Sequence, residues 1–574
     1  MQKESFAVKL RKIGPLGIII GAVLTWFIFS FLIFPNISLL ANVFIKDGQF
    51  STEAFGKLLS SERAMKSFGN SFLLALSMVV TVNVIGTLLV LFTEYFDIKG
   101  AGLLKIGYMS TLVYGGVVLC TGYKFIYGAN GIITNLLLGW FPNLNVNWFS
   151  GYFAVLFIMT FACTSNHIIF LTNAIRGIDY QTVEAAKNMG ASFGRTFFSV
   201  VLPVLKPNLF ALTILTFLTG LSAMSAPLIV GGPEFQTINP MIITFANSAY
   251  SRELAALMAI ILGVATIILL AIMSKVEKGG NYISVSKTKS KIIKQKITNP
   301  VLNLLSHMAA YLLFVIYVFP ILLVTLFSFT DSATIRSGQF SFGSLTLDNY
   351  RQLFSKLSVF KPFLISIAYS LSAALLVALL CVVVCRIIHR SKSRLAPVLE
   401  YSMLIPWLLP STMIALALML TFDKPQPVVL NKVLIGTVWI LLIAYIVARI
   451  PFALRMIKAA FYGVETSLEE AAKSMGAGPV YTLVKVVLPI ILPAVLSVVA
   501  LTFNGLLAEY DMTVFLFHPL VQPLGPVIKA ASDETASLNA QAMSFVYSVL
   551  LMLISSAALY LVYGRKPKRR IQEK

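Results

Sequence analysis

The sequence predicts an all-α polytopic membrane protein made of tandem six-helix units, with about 12 transmembrane helices. Three observations carry that reading. Of the 574 residues, 58% are hydrophobic and only 12% charged, against about 25% charged in an ordinary soluble domain. Twelve apolar runs reach the roughly 20 residues that a helix rising about 1.5 Å per residue needs to cross about 30 Å of hydrocarbon. One twenty-residue pattern occurs twice, 286 positions apart, with twelve positions identical.

In the first half the runs lie near 13–36, 68–92, 106–128, 151–173, 208–230 and 254–274. In the second they lie near 302–328, 363–385, 397–420, 433–453, 490–508 and 542–563. Gly115, Gly116, Gly122 and Lys124 interrupt the third run, which predicts a shorter, tilted or broken helix there. Lys9, Arg11 and Lys12 precede the first run as they would in a secretion signal. The uncharged stretch from Ile13 to Phe34 exceeds the usual core of about 7–15 residues, however, and no small-x-small site follows promptly, so it reads as a retained spanning helix. Small residues such as Gly21, Gly86, Gly220, Ser222, Ala223, Ser225 and Ala226 suit close helix packing.

Residues 1–274 are expected to form the first unit, with the repeated element at 177–203, and residues 301–574 the second, with its copy at 463–489. Between them, 275–300 reads as a basic cytoplasmic linker carrying Lys275, Lys278, Lys287, Lys289, Lys291, Lys294 and Lys296. Short cytoplasmic segments accumulate Lys and Arg. The N-terminal Lys3, Lys9, Arg11 and Lys12, the linker, the loop with Arg386, Arg390, Lys392 and Arg394, and the tail with Arg565, Lys566, Lys568, Arg569 and Arg570 all fall on one side of a twelve-span chain. Both termini and both repeated elements are therefore expected in the cytoplasm. The formal charge of +22 then reflects orientation and attraction to anionic membrane lipid, with no nucleic-acid partner expected.

The repeat opens with Glu184-Ala185-Ala186-Lys187 in one half and Glu470-Ala471-Ala472-Lys473 in the other, all good helix formers. Gly190 and Gly476 end the favourable stretch and permit a sharp turn or a close approach. Leu202-Pro203 and Leu488-Pro489 then shape the approach to the next spanning helix. Each copy reads as a short helix, a turn and a second helix; alone, Glu-Ala-Ala would mark no more than a solvated connector.

Both copies fit Glu-Ala-Ala, three residues, Gly, nine residues, a branched apolar residue (Val200, Val486), one residue, Leu-Pro. In this the chain resembles the permease subunit of a binding-protein-dependent ATP-binding-cassette importer, in its fused form with both type I units on one polypeptide. The resemblance implies that Glu184, Ala185, Ala186, Gly190, Leu202 and Pro203, with Glu470, Ala471, Ala472, Gly476, Leu488 and Pro489, form two coupling elements. Their partners would be two cytoplasmic ATPase subunits, a homodimer sufficing, and the solute would come from an external binding protein. It also implies a bacterial-type cytoplasmic membrane. Fused permeases of this layout are similar to those for ferric iron, and to relatives for 2-aminoethylphosphonate.

The residues themselves supply no catalytic group. The sequence has no Gly-x-x-x-x-Gly-Lys-Ser/Thr loop to hold nucleotide phosphates, so ATP and Mg are expected on partner subunits and no cofactor on this chain. Cys120, Cys163, Cys381 and Cys385 read as buried apolar side chains, and His167, His307, His389 and His518 are too scattered for a metal cluster. The exceptional polar interruption is Asn504-Gly505-Leu-Leu-Ala-Glu509-Tyr510-Asp511 at the end of the eleventh run. Its counterpart, Thr219-Gly220-Leu-Ser222-Ala-Met224-Ser225-Ala226, lacks carboxylates. Ionised groups in hydrocarbon need a partner or a water-filled cavity. Ser222, Ser225, Asn504, Glu509 and Asp511 are thus candidate pathway residues; the competing reading puts the two acids at the membrane surface. An ion-coupled secondary transporter would share the twelve spans but gives no reason for the duplicated element.

Overall fold

The computed structural model describes residues 6–46, 48–112, 116–279, 293–337, 342–390, 395–533 and 535–563. Among them, ten uninterrupted helices are long and apolar enough to cross a membrane, and two sharply bent pairs bring the number to twelve if each is one span. In the first half these are Gly17–Phe44, Glu62–Tyr95, the pair Ala101–Leu112 with Gly116–Trp140, then Gly151–Arg176, Gly194–Leu221 and Ala249–Lys275. The second half has Pro300–Ser328, Leu357–His389, the pair Ala396–Leu408 with Ser411–Phe422, then Val438–Tyr462, Pro479–Leu506 and Leu538–Leu561.

The expected unbroken run at 397–420 is corrected by a 103° bend between its two helices. Pro410 is the cause: it has no N–H for a helical bond and forces Leu409 into extended backbone, φ −111° and ψ 135°. In the first half the third span bends by 110°. The run expected at 208–230 also needs correction, since its helix stops at Leu221 and a short helix, Ser225–Val230, follows. The freed carbonyls are satisfied from outside the helix: Asn239 Nδ2 donates to Ser222 O at 2.7 Å and Thr237 Oγ1 to Ala223 O at 2.9 Å.

The two halves are interlocked. The first span packs through Leu24, Ile28, Phe31 and Leu32 into a cluster otherwise made by the second half, including Phe422, Tyr445 and Ile450. Trp26 Nε1 donates to Val428 O at 2.8 Å across that contact. The seventh span, conversely, lies on the first half. Fully buried Tyr317 meets Tyr108 and Phe161 edge-on, ring centroids 5.5 and 5.4 Å apart, and Tyr108 Oη donates to Ala310 O at 2.7 Å. Edge-on aromatic pairs contribute about 0.5–1.5 kcal/mol each beyond area burial.

Close helix approach explains two of the small residues. A Cβ on Gly86 would stand 2.5 Å from the His167 ring, and one on Gly220 would stand 2.6 Å from Ala75 Cα, whereas Gly21 has open space. Cys381 and Cys385, one turn apart, direct their thiols at the carbonyls of Ile450 and Leu454, both at 3.8 Å, and so bind the eighth span to the tenth. At the linker, the sixth helix continues to Gly279 and the seventh begins at Pro300. Lys287, Lys289 and Lys291, the loop residues Lys392 and Arg394, Gly115, Lys3 and the basic tail lie outside the described residues.

Candidate functional site: paired repeat helices and a cavity between the halves

The duplicated sequence folds into duplicated geometry. The first repeat helix is Tyr180–Asn188 and the second Thr466–Ser474. Each ends in the same motif. Met189 N–H bonds Ala185 O, Gly190 N–H bonds Lys187 O, and Ala191 N–H reaches back to Ala186 O at 3.1 Å; in the second half Met475, Gly476 and Ala477 repeat this on Ala471, Lys473 and Ala472. The turn requires a left-handed residue, and Gly190 and Gly476 supply it at φ +80° and +83°. Space is not the constraint, since a Cβ at either position would meet nothing within 4 Å.

A single π-helical turn follows in each half, Phe197–Val201 and Leu483–Val487. Leu202 N–H bonds Phe197 O and Leu488 N–H bonds Leu483 O. Widening the helix just before Pro203 and Pro489 accommodates residues that cannot donate to the helical ladder and would crowd the preceding turn. Leu202 and Leu488 are half-buried and both prolines exposed. In each repeat helix one alanine faces inward, Ala186 or Ala472, while Glu184, Ala185, Glu470 and Ala471 are exposed. Met189 and Met475 project at 81% and 82% exposure.

The anchoring of the two helices differs. The first buries Val183 completely against the end of the second span. At the matching position the second carries Glu469, which accepts from Arg386 Nη1 at 2.5 Å.

A cavity of about 440 Å³ lies between the halves. Ser225 of the first half and Ser411, Arg449, Asn504, Glu509, Asp511 and Ser555 of the second supply its polar wall. It therefore brings together four of the five pathway candidates. Ser222 stands apart from that lining; its carbonyl accepts from Asn239 Nδ2, and Asn239 Oδ1 accepts from Thr412 Oγ1 of the second half at 2.9 Å.

The two acids lie within the bundle. The eleventh helix ends at Leu506, and Gly505 stands against Arg449, near the middle of Val438–Tyr462. Glu509 caps the short helix Thr513–Leu516: Oε1 accepts the Met512 N–H at 2.8 Å, and Oε2 accepts the Thr513 N–H at 3.1 Å and hydroxyl at 2.6 Å. Thr513 Oγ1 in turn lies 2.6 Å from Tyr445 Oη. Asp511 faces the Ser225 hydroxyl across the boundary between halves. Sequence reasoning missed Arg449, although a lone arginine inside the 433–453 run was a visible signal. Its Nη2 donates to Gly505 O at 2.6 Å, and its Nε is buried without a partner, as is Asn504 Oδ1. Gly505 makes room for the guanidinium, since a Cβ there would lie 3.1 Å from Nη2. Among the described residues no group of three or more His, Cys, Asp or Glu side chains is arranged to hold a metal.

The family model for the binding-protein-dependent transport system inner membrane component matches residues 117–279 and again 382–570. A probable ABC transporter permease protein y4fN of Sinorhizobium fredii is 35% identical over 551 residues, covering 95% of this chain and 96% of that protein. The ferric transport system permease protein FbpB of Actinobacillus pleuropneumoniae is 24% identical, over 88% of this chain and 73% of its own length. A putative 2-aminoethylphosphonate transport system permease protein PhnV of Salmonella paratyphi A is 27% identical over 150 residues, covering 26% of this chain and 55% of that protein. With two matches that together span more than half of the sequence and a relative aligned almost end to end, the chain belongs to the binding-protein-dependent transport system inner membrane component family and is a membrane permease subunit of an ABC-type importer.

Proposed function

We propose that this chain couples ATP hydrolysis on two cytoplasmic ATPase subunits, a homodimer sufficing, to solute movement through the cavity between its halves. ATP and Mg belong to those subunits, and an external solute-binding protein delivers the cargo. The observation that carries this reading is the twofold recurrence of helix, left-handed glycine, π turn and proline at one constant offset. Two equivalent prongs suit two equivalent motor subunits. Each presents an exposed methionine, a flexible apolar side chain suited to an adaptable groove. The division at 275–300 gives each motor subunit one six-span unit, in a bacterial-type cytoplasmic membrane with both termini and both prongs cytoplasmic.

Alternating access follows from this arrangement. Closure of the ATPase pair moves the repeat helices as rigid bodies, and the bent third and ninth spans and the unwound ends of the fifth and eleventh are the places where the bundle yields. Ser225, Asn504, Glu509 and Asp511 would face the cargo in passage. Ferric iron is the first solute reading, supported by the length of the match to FbpB and by the two acids. A phosphonate or other small oxyanion is the second, and Arg449 favours it: a fixed positive charge on the cavity wall attracts an oxyanion and repels a bare cation.

Reconstitution with the ATPase subunits and binding protein, with competition among ferric citrate, 2-aminoethylphosphonate and phosphate, tests both levels. ATP-dependent uptake is expected; uptake by the isolated chain on an ion gradient alone would replace this reading with a secondary transporter. Gly190→Val and Gly476→Val each force a β-branched residue into left-handed backbone, a strain of about 1–3 kcal/mol, and should uncouple ATP hydrolysis from uptake. Unchanged subunit binding and uptake in both variants would remove the prongs from the mechanism.

A further inference from the structure

The linker reaches the first repeat helix and makes a contact that the second repeat helix lacks. Gln295 is 5% exposed. Its N–H donates to Tyr95 O at 2.8 Å and its O accepts the Asp97 N–H at 3.0 Å, so the linker is clamped beside the end of the second span. Its side chain is bound at both ends. Nε2 donates to Ile293 O at 2.6 Å, and Oε1 accepts from Lys187 Nζ of the first repeat helix.

Lys473 holds the position of Lys187 in the second repeat, and its side-chain amine has no hydrogen bond or ion pair among the described residues. That helix is held instead by Glu469 on Arg386, within its own half. Four residues beyond Gln295, Asn299 caps the seventh span by accepting from Val301 and Leu302 N–H at 2.9 and 3.2 Å. The seventh span packs on the first half through Tyr317. Gln295 thus joins three elements: the first repeat helix, the end of the second span, and the start of the seventh span.

We infer that Gln295 is a positioning residue for ATP coupling, by which the fused linker holds the first repeat helix in register with the seventh span. It takes the place that the Glu469–Arg386 ion pair fills in the second half. The inference rests on the repeat helices being the ATPase-docking elements. Covalent fusion thereby supplies a mechanical tie as well as stoichiometry. Two separate chains would have to find that tie by association.

The test uses the chain in lipid nanodiscs with its copurified ATPase subunits. Gln295→Leu should keep its main-chain clamp and lose the Lys187 contact, lowering ATP hydrolysis about threefold to tenfold, the equivalent of one hydrogen bond. Gln295→Glu, which puts a carboxylate opposite Lys187, should restore it, and Lys473→Met should change little. A Lys187→Cys, Gln295→Cys pair joined by a flexible bis-maleimide, which spans the length of the two lost side chains, should still permit hydrolysis, because the two groups travel together. Loss of ATPase subunits from the unmutated chain would sink the docking reading itself. With the subunits retained, equal effects of Gln295→Leu and Lys473→Met, failure of Gln295→Glu to restore hydrolysis, or arrest on crosslinking would overturn the role of Gln295 alone.

Discussion

The fifth and eleventh spans break off at matching places, Leu221 and Leu506, yet the two breaks are built from opposite chemistry. After Leu221 the chain buries Ala223 and Met224 in an apolar cluster with Leu74 and Met78. After Leu506 it places Glu509 and Asp511 on the cavity wall, next to Arg449 of the tenth span. The glycines that precede the breaks diverge too: Gly220 lets Ala75 pack backbone to backbone, whereas Gly505 seats a guanidinium. Duplication supplied one backbone plan, and only one copy was given charge. The cavity at the boundary takes its charged groups from one side alone, and the apolar copy holds the bundle together beside it.

Exchanging the chemistry is the strongest way to break this comparison. Met224→Glu would bury a carboxylate, and among the described residues no arginine stands at the first-half break to pair with it. A cost on the order of 4 kcal/mol is expected, read as a large fall in unfolding temperature in detergent. Glu509→Ala works in the other direction. It strands the Met512 and Thr513 N–H groups, while the Thr513 hydroxyl keeps Glu509 O and Tyr445 Oη, at a cost of about 3 kcal/mol. If both variants unfold with the unmutated chain, the two breaks are interchangeable.

The paired glycines sharpen the contrast with a smaller effect. In Gly220→Ala the new Cβ meets Ala75 Cα at 2.6 Å, so two helices must part, costing about 1–3 kcal/mol. In Gly505→Ala it meets the end of a flexible arginine at 3.1 Å, which yields for less. Stability should therefore suffer mainly in the first variant and uptake mainly in the second, because Arg449 has shifted. Thermal unfolding and solute uptake, measured on the same preparations, separate the two.

Legibility in the sequence followed the same division. Apolar runs gave nearly every span, since the length needed to cross hydrocarbon is a local property. The repeat helices and their glycine turns were visible because Glu184 and Glu470 begin series that match at the same offsets, through Gly190 and Gly476 to Pro203 and Pro489. Pro406 and Pro410 stood in the 397–420 run as a warning of the 103° bend, but mean hydropathy outweighed them. Arg449 was passed over for the same reason. The crossing of the first and seventh spans onto opposite halves had no signal, because a lipid-facing pattern says which face is apolar and not which neighbour covers it. Nor could the partner of Gln295 be read, since it depends on that crossing.

The smallest expected effects lie in the segments that follow the first span of each half, where charge is used in different ways. Glu53 is exposed and bound by Lys46 at 2.5 Å and Lys57 at 3.1 Å; Lys57 also reaches Glu253 at 2.9 Å. The hydrogen bond from Lys46, then that from Lys57, holds the Glu53 carboxyl below its ordinary 4.5. Its contribution is therefore present above pH 4.5 and lost as pH falls through the lower folded value. The Glu253 contact raises Lys57 above 10.5, so that contribution is complete below 10.5 and lost as pH rises through the folded value. Asp331 in the second half is also held below its ordinary 3.8, but by the Thr334 hydroxyl and N–H, which carry no charge. Salt at about 1 M, with a screening length of about 3 Å, should move Glu53 back toward 4.5 and leave Asp331 in place. Carboxyl-labelled NMR titration at low and high salt reads both groups at once. Equal salt shifts would mean that these two segments hold their carboxylates in the same way.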